Sequence, residues 1–491
     1  MSRALSRRVV LTAGSLGALA ACSTASSPTT GMRMPATPVP TSAPASPSPG
    51  QRVVERVLTP APARVDLGGV TVDTWAYDGV VPGAELRVTA GDFARVRLHN
   101  TLPAETTVHW HGIRLRNPAD GLPGVTQDAV QPGGDFTYAF TAPDPGTYFF
   151  HPHVGVQIDR GLYAPLIVED PHEPLTYDVE WVVVLDDWLD GTGRTPDQAL
   201  ADLVEAGGTA TGSGMGGMGM GMGGMDGMGG GDDGDVAYPH FLVNGRTPTD
   251  PVVFTGRPGQ RVRLRVVNSG ADTIFTVALG GHRFTVTHTD GWPVEHQEAE
   301  AVTLGMGERF DALVTLGDGA FPLVARPAGK SGDARAIVRT ASGATPDASA
   351  SPDELAGTPL QLADLTPADA ARLPAATTAE TQSVLLQGSM EPYVWGINGA
   401  PYGHNTPLTV PGGTRVRFEV TNMSMMTHPF HLHGHTFALA DTGLRKDTVL
   451  MRHMERRVIE FDTDNPGRWM AHCHNAYHGE AGMMIGVDYR A

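Results

Sequence analysis

Cysteine is almost absent from this chain of 491 residues. The only two are Cys22 and Cys473, and neither their number nor their positions suggest a disulfide framework. Basic side chains are also scarce, because 35 Lys and Arg stand against 53 Asp and Glu, for a formal net charge of −18. Without a basic patch to neutralise phosphates, the chain is not expected to bind nucleic acid.

Strong helix-forming runs are few, whereas Gly and Pro are abundant, at 61 and 39 residues. Short alternations of Val, Leu and Phe lie between these turn-forming residues, a pattern typical of β-strands. The length predicts about three domains. We therefore expect an all-β protein with several domains.

The first 22 residues are typical of an export signal. SRRVVL (6–11) resembles a twin-arginine motif, and the apolar run over 9–21 is too short to cross a bilayer as a stable helix. The run ends in LAAC (19–22), which resembles a bacterial lipobox and implies cleavage before Cys22 and lipid attachment to its sulfur. A simple secretory leader is the alternative.

Residues 23–51 are rich in Ser, Thr, Pro and Ala and carry almost no charge. Such a composition suits a solvated tether between a membrane and a folded domain. We expect an exported protein, anchored by lipid on the outer face of the cytoplasmic membrane or in the periplasm.

One strand pattern recurs three times. GDFARVRLHN (91–100), GQRVRLRVVN (259–268) and GTRVRFEVTN (413–422) share a Gly and an Asn nine residues apart, with basic and apolar residues between them. A second pattern follows each copy, as PGTYFFHPH, DGAFPLVAR and PGRWMAHCH. Each copy is predicted to be a strand with one buried face. The chain is therefore predicted to contain three copies of one β-domain.

Copies one and three carry histidine pairs where copy two has none. The four His-x-His pairs are His109 and His111, His151 and His153, His431 and His433, and His472 and His474. Because residues i and i+2 share one face of a strand, eight imidazoles are expected to converge between the first and third domains. Eight ligands are too many for one ion, and neutral imidazole is a good copper ligand, so the pattern predicts a copper cluster.

Cys473 lies between the two histidines of the last pair, so its side chain must point to the opposite face of the strand. Nearby in the third copy stand His428, His478 and Met483. Two imidazoles, a thiolate and a weak axial thioether form the ligand set of a blue-copper site. A structural zinc site would more often show paired cysteines, and a catalytic thiol would not explain the flanking ligands.

Four motifs resemble the copper motifs of the multicopper oxidases in order and spacing: HWHG (109–112), HPH (151–153), HPFHLHGH (428–435) and HCHNAYHGEAGM (472–483). The resemblance covers about residues 52–491. It implies three cupredoxin-like Greek-key β-barrel domains. The expected bounds are 52–170, 171–340 and 383–491, with a linker over 341–382.

The resemblance also implies four copper ions and assigns their ligands. The type 1 copper takes His428, Cys473, His478 and axial Met483; the type 2 copper takes His109 and His431; the type 3 pair takes His111, His151, His153, His433, His472 and His474.

Asp120, in the ADG that follows HWHG, matches the acid that the family places near the cluster as a proton relay. A turn role ahead of Gly121 is the alternative. His435 matches no family ligand and is expected to be structural. Some members carry an acid directly after the last type 1 histidine, and this chain has Gly479 there instead.

A glycine-rich stretch of the second domain (213–235) contains six methionines: Met215, Met218, Met220, Met222, Met225 and Met228. Glycine-rich chain cannot bury a core, so the stretch is predicted to be an exposed loop. Thioethers are soft ligands that prefer Cu(I). A disordered insertion of accidental composition is the alternative.

The chain thus resembles the methionine-rich, copper-resistance branch of the family, which implies oxidation of Cu(I) to Cu(II) coupled to four-electron reduction of dioxygen to water. A laccase-like oxidase of phenols or aromatic amines, with a small organic reductant, is the nearest alternative. A copper buffer or envelope scaffold would be expected to have lost ligands, and a two-domain nitrite reductase would need neither three repeats nor eight cluster histidines.

Overall fold

The computed structural model describes residues 42–208, 232–342, 344–347 and 349–490. Strands dominate these residues, so the predicted all-β class is confirmed. The predicted export signal with Cys22 and the six methionines over 215–228 lie outside the described residues. None of the described helices is long and apolar enough to cross a membrane.

The first domain contains nine strands. They are β1 (Val53–Leu58), β2 (Pro60–Asp66), β3 (Thr71–Tyr77), β4 (Leu86–Thr89), β5 (Phe93–His99), β6 (His109–His111), β7 (Asp135–Thr141), β8 (Gly146–His151) and β9 (Ala164–Glu169). The sheet orders are β1-β5-β7, β2-β3 and β4-β9-β8-β6. Because β1 pairs with β5 and β4 with β9 in parallel, the three-stranded and four-stranded sheets mix parallel and antiparallel neighbours, whereas β2 and β3 are antiparallel.

The second domain contains twelve strands in two six-stranded sheets. They are β10 (Val179–Trp188), β11 (His240–Val243), β12 (Val252–Thr255), β13 (Arg261–Asn268), β14 (Phe275–Leu279), β15 (Phe284–Thr289), β16 (Trp292–Ala299), β17 (Ala301–Leu304), β18 (Arg309–Thr315), β19 (Ala320–Pro327), β20 (Ala334–Arg339) and β21 (Leu360–Gln361). The sheet orders are β11-β10-β13-β18-β15-β16 and β12-β20-β19-β14-β17-β21. Helix α1 (Pro196–Gly208) follows β10.

The third domain has a six-stranded and a five-stranded sheet. Its strands are β22 (Thr378–Met390), β23 (Tyr393–Ile397), β24 (Leu408–Pro411), β25 (Arg415–Asn422), β26 (His428–Leu432), β27 (Phe437–Leu439), β28 (Arg445–Lys446), β29 (Thr448–Met451), β30 (Arg456–Asp462), β31 (Arg468–Cys473) and β32 (Met484–Arg490). The sheet orders are β23-β22-β25-β30-β27-β28 and β24-β32-β31-β26-β29. Helix α2 (Ala476–Glu480) follows β31.

Five short 3-10 helices complete the described structure. They are Asn117–Ala119, Gln157–Arg160, Asp353–Ala356, Leu362–Asp364 and Asp369–Ala371. The last three lie in the predicted linker (341–382). That segment is not a free connection, because β21 joins the sheet of the second domain beside β17 and β22 already begins at Thr378. The domain bounds stay predictions.

The three sequence repeats form β5, β13 and β25, one strand in each domain. Each of them pairs in parallel with the strand that begins its domain: β5 with β1, β13 with β10, and β25 with β22. The repeated Asn is fully buried in every copy, as Asn100, Asn268 and Asn422, and its side chain donates two hydrogen bonds to backbone carbonyl oxygens. A buried amide needs such partners, which explains why the Asn recurs at the strand end.

Buried ion pairs join the domains. The Arg309 guanidinium of β18 donates to both carboxylate oxygens of Asp447 at 2.7 and 2.6 Å, and it also donates to the carbonyl oxygen of Thr147 in the first domain at 3.1 Å. Lys446 lies 3.0 Å from Asp290 and 3.1 Å from Glu308. The Arg309 and Asp447 side chains have no solvent exposure, so each charge depends on its partner.

We expect Arg309→Met to destabilise the protein by about 3–5 kcal/mol, because it leaves the Asp447 carboxylate buried without its cation. Arg456→Met is the matched control, since Arg456 pairs with Glu419 at 2.8 Å but is 58% exposed, and such pairs contribute only about 0–1 kcal/mol. Urea unfolding of the copper-free proteins measures both. Equal losses in the two variants would contradict a special role for the buried pair.

Candidate metal centre

Strand pairing brings the predicted histidines together. In the first domain β6 pairs with β8, so that His109 lies opposite His151. In the third domain β26 pairs with β31, and His431 lies opposite His472. Between the histidines of the first pair, Trp110 points into the domain core, as strand alternation requires.

The eight imidazoles form two groups of three and one pair. The groups are His111 with His151 and His474, His153 with His433 and His472, and His109 with His431. Within each group the candidate ligand atoms lie within 4.8 Å of one another. Nε2 of His474 is 3.4 Å from that of His151, and Nε2 of His433 is 3.0 Å from that of His472. The predicted copper assignment likewise pairs His109 with His431 and gives the other six histidines to the type 3 ions, and it stays a prediction.

Backbone carbonyls set the tautomers of several of these rings. A carbonyl oxygen only accepts, so the ring nitrogen facing it carries the proton and the other nitrogen keeps its lone pair. Nδ1 donates in this way in four rings: His109 to Asp120 at 2.9 Å, His151 to Pro152 at 2.8 Å, His431 to Asp447 at 2.9 Å and His472 to Cys473 at 2.9 Å. Outward N–H groups and inward lone pairs are the arrangement of metal-ligating histidines.

Several inward nitrogens have no partner within the described protein. They are Nε2 of His109, Nδ1 of His111 and Nε2 of His431. A buried lone pair without a donor is unfavourable, and a cation satisfies it. The donor set therefore fits bound copper, for which neutral imidazole is a good ligand.

Burial favours the neutral form of seven cluster histidines. It is the largest cause that lowers their pKa values, and the neighbouring imidazoles lower them further. The pKa falls well below the usual value in His111, His151, His153, His433 and His474, falls to about 3 in His472, and is lowered in His431. Neutral rings leave the ligating nitrogens free of protons near neutral pH.

A second group lies on the opposite face of β31. Sγ of Cys473 is 3.5 Å from Nδ1 of His428 and 3.7 Å from Nδ1 of His478, and these two nitrogens are 3.0 Å apart. All three side chains are buried, as is that of Met483. The indole of Trp395 packs on His478 with ring centres 4.1 Å apart. This is the soft, enclosed ligand set that a blue-copper site needs.

Each histidine of this second group has a different outer contact. Nε2 of His428 hydrogen-bonds to Oγ of Ser424 at 2.6 Å. Nε2 of His478 lies 2.7 Å from the Asp235 carboxylate. Burial opposes the charge on His478, but Asp235 outweighs it and raises the pKa of His478 to about 10. The sequence motifs did not predict this contact.

Asp120 contacts one histidine from a group of three and one from the pair. Its carboxylate lies 3.0 Å from Nδ1 of His433 and 3.3 Å from Nδ1 of His109, and it is almost fully buried. The turn alternative also has a basis, because Asp120 caps a 3-10 helix and Gly121 follows with φ of 81°. The relay role would use the side chain of Asp120 and the turn role uses its backbone, so the two are compatible. The relay role stays a prediction.

The second domain contributes Arg309 and Gly307, which sequence reasoning missed. Arg309 binds Asp447 of the third domain, and the Asp447 carboxylate lies 3.1 Å from Nε2 of His111. Gly307 has φ of 83°, and a Cβ there would lie 2.9 Å from the ring of His111 and 3.0 Å from that of His474. Copy two carries no histidine pair, so nothing in its sequence pointed to the cluster.

The surroundings of the cluster include a structural histidine and two cavities. Both ring nitrogens of His435 are hydrogen-bonded, to the His433 carbonyl at 2.9 Å and to the Tyr489 hydroxyl at 2.7 Å. A cavity of about 820 Å³ is lined by His153 and Glu480, and a smaller one of about 40 Å³ is lined by four cluster histidines.

We expect Gly307→Ala to lose at least half of its cluster metal, because the added methyl group would displace His111 and His474. Gly259→Ala is the control, since Gly259 also has positive φ, at 77°, but a Cβ there meets no atom within 4 Å. It adds similar backbone strain without the clash. Metal content per folded chain measures the effect, and equal content in both variants would show that the close approach does not matter.

Three family models, each described as multicopper oxidase, match the chain over residues 61–173, 180–343 and 375–491. Together they cover most of its length. The solved structure of a multi-copper oxidase from Pseudomonas thermotolerans is similar, with a TM-score of 0.70 and 28% identity over 90% of this chain and 100% of that one.

Two relatives of known family are similar to this chain over most of their length. The chain is 45% identical to multicopper oxidase MmcO of Mycobacterium tuberculosis, covering 99% of this chain and 97% of that one. It is 28% identical to a copper resistance protein A homolog of Pseudomonas syringae pv. tomato, over 90% and 94%. The predicted cupredoxin-like fold and oxidoreductase class are thereby confirmed, and the chain belongs to the multicopper oxidase family.

Proposed function

We propose that this multicopper oxidase is exported, that its substrate is Cu(I), and that it couples the oxidation of Cu(I) to the reduction of dioxygen to water. The observation that carries the proposal is the contact between Asp235 and His478. Asp235 stands seven residues after the last methionine of the methionine-rich stretch, and His478 belongs to the predicted type 1 site.

The copper assignment follows the side-chain groups. His428, Cys473, His478 and Met483 would hold one type 1 copper, His109 and His431 one type 2 copper, and the two groups of three histidines a type 3 pair. When bound, the type 1 copper accepts single electrons and the cluster of three supplies four of them to dioxygen. Backbone carbonyl oxygens accept from Nδ1 of four of these histidines and so orient their rings. Burial lowers the pKa of His151, His431 and His472.

The described chain on both sides of the methionine-rich stretch lies near the type 1 group. Before it, α1 packs against β23, the strand that carries Trp395. After it, the Thr427 hydroxyl donates to Asp232, directly beside His428 in the sequence. Described residues before the first methionine and after the last one therefore both lie near the residues that would accept the electron.

Several contacts fix Asp235. Its backbone N–H and that of Val236 donate to the Asp272 carboxylate at about 2.9 Å, and Lys330 donates to the same carboxylate at 2.8 Å. The Tyr393 hydroxyl donates to Asp235 at 2.6 Å. Burial would raise the pKa of Asp235, but the charge of His478 outweighs it and lowers the pKa. A carboxylate thus remains beside His478, where it favours an approaching cation.

Export and a lipid on Cys22 would bring this activity to the cell envelope, where Cu(I) must be oxidised before it enters the cell. The similarity to a copper resistance protein A homolog supports a role in copper resistance. The acidic balance of the chain also suits a cationic substrate.

Replacing the six methionines at 215, 218, 220, 222, 225 and 228 by leucine should raise the apparent KM for Cu(I) about tenfold, which corresponds to about 1.4 kcal/mol of binding. Leucine preserves length and apolar volume but removes the soft sulfur. Turnover of a phenol by the same variant is the control and should not change. An unchanged KM for Cu(I) would remove this stretch from the proposed substrate path.

Cys473→Ser should abolish the blue colour and reduce oxygen uptake with Cu(I) as the only reductant by about a hundredfold or more. A serine hydroxyl cannot replace a thiolate as a soft copper ligand. Oxygen uptake by copper-loaded protein measures the loss, and copper bound per chain shows whether the other three ions remain. If the copper-loaded natural protein takes up no oxygen with Cu(I), the proposed substrate is wrong and phenols are the next reductants to test.

A further inference from the structure

The type 1 group has a second route to the surface, through His428. Nε2 of His428 hydrogen-bonds to Oγ of Ser424, on the side away from Cys473. Ser424 belongs to the turn after β25, and its backbone carbonyl oxygen accepts a hydrogen bond of 2.6 Å from Nδ1 of His453. His453 is an exposed residue of the turn between β29 and β30.

The two turns are joined by three hydrogen bonds. Besides the bond from His453, the backbone N–H of Asn422 donates to the carbonyl oxygen of Glu455 at 2.9 Å, and the Asn422 side chain donates to that of Met451 at 2.9 Å. Asn422 is fully buried. The relative position of the two turns is therefore set by the core of the third domain.

Three methionines project from these turns into solvent. Met423 is 50% exposed, Met425 is 67% exposed and Met454 is 58% exposed. Exposure forfeits the free energy that burial of an apolar side chain would provide. Met454 also adopts φ of 58°, a left-handed conformation that is rare for residues other than Gly, Asn and Asp. The turn accounts for this φ, because the corresponding turn of the second domain has Gly307 at the same place with φ of 83°. Packing does not account for the exposure of the three side chains, and three outward thioethers are soft metal ligands.

His453 has a ring nitrogen that could act as a fourth ligand. Because Nδ1 donates to a carbonyl oxygen, the neutral ring has its lone pair on Nε2, and a carbonyl partner of this kind is typical of metal-ligating histidines. The nearest carboxylate of the turn is already engaged, since Glu455 accepts from the Arg452 backbone at 2.8 Å and pairs with Arg457 at 2.7 Å. Three sulfurs and one imidazole form a soft donor set, which favours Cu(I) over harder divalent ions.

We propose that Met423, Met425, His453 and Met454 form a surface site that binds substrate Cu(I) and passes its electron to the type 1 centre through Ser424 and His428. The inference rests on the proposed function for its substrate. It adds a docking site formed by other methionines than the six at 215–228.

The electron path is short. From the imidazole of His453 it crosses the hydrogen bond to the Ser424 carbonyl, follows the bonds of that residue to Oγ, and crosses a second hydrogen bond of 2.6 Å to His428. Bound Cu(I) loses one electron and becomes Cu(II), and four such electrons reduce one dioxygen with four protons to two waters. Cu(II) prefers nitrogen and oxygen ligands to thioethers, so the product would leave the site.

Silver(I) tests the site directly, because it has the soft-ligand preference of Cu(I) but is not oxidised. The protein used is copper-loaded, full-length and carries the six leucine replacements at 215–228, so that those thioethers cannot bind. We expect one tightly bound Ag(I) per chain by calorimetric titration. The double variant Met425→Leu with Met454→Leu should bind it at least tenfold more weakly, and His453→Ala likewise.

Met390→Leu is the matched control, since Met390 is 39% exposed but belongs to the β22–β23 hairpin. It should bind Ag(I) as before. In the chain with its natural methionines, the double variant should raise the KM for Cu(I) about tenfold and leave phenol oxidation unchanged. Leucine substitutions at exposed positions should not affect folding.

The results separate this inference from the proposed function. Equal Ag(I) affinity in the double variant and in Met390→Leu would overturn the surface site, even if the protein oxidises Cu(I). Ag(I) binding that the double variant loses, in a protein that does not oxidise Cu(I), would support the site and contradict the proposed substrate.

Discussion

The paired hydrogen bonds between Arg309 and Asp447 are the interaction on which the arrangement of the metal centre depends. Arg309 comes from the second domain, which carries none of the predicted copper ligands, and Asp447 from the third. Asp447 in turn contacts His111 of the first domain. The domain without copper ligands thus fixes the geometry between the two domains that have them. Because both side chains are fully buried, removing either one would leave the other charge without solvent and without its closest ionic partner.

The two predicted copper centres share β31 and differ in what surrounds them. On one face His472 joins a cluster in which four of the eight rings donate from Nδ1 to backbone carbonyls, which do not titrate. On the other face Cys473 joins two histidines whose outer nitrogens contact side chains, Asp235 and Ser424. The cluster borders two cavities that His153 lines, whereas the outer contacts of the predicted type 1 group are a carboxylate and a hydroxyl. This division suits an enzyme whose reductant and oxidant react at separate places.

Much of the fold and the ligand set could be predicted from local pattern. The repeated Gly and Asn mark β5, β13 and β25, because a strand end with a buried amide needs the same partners in each copy. The His-x-His spacing predicted which imidazoles share a face, and the groups of histidines in the structure agree with it. Helix α1 was not expected, and the predicted linker proved to contribute strands to both neighbouring domains.

The sequence by itself determined the strand periodicity, the three repeats and the histidines and cysteine that face one another, because alternation along a strand is a local property of the backbone. Only the tertiary structure decided which outer groups contact those ligands. Asp235, Gly307, Asp447 and His453 lie far along the chain from the histidines or serine that they contact. Their positions follow from how whole domains pack, and no spacing rule within one strand or turn contains that information.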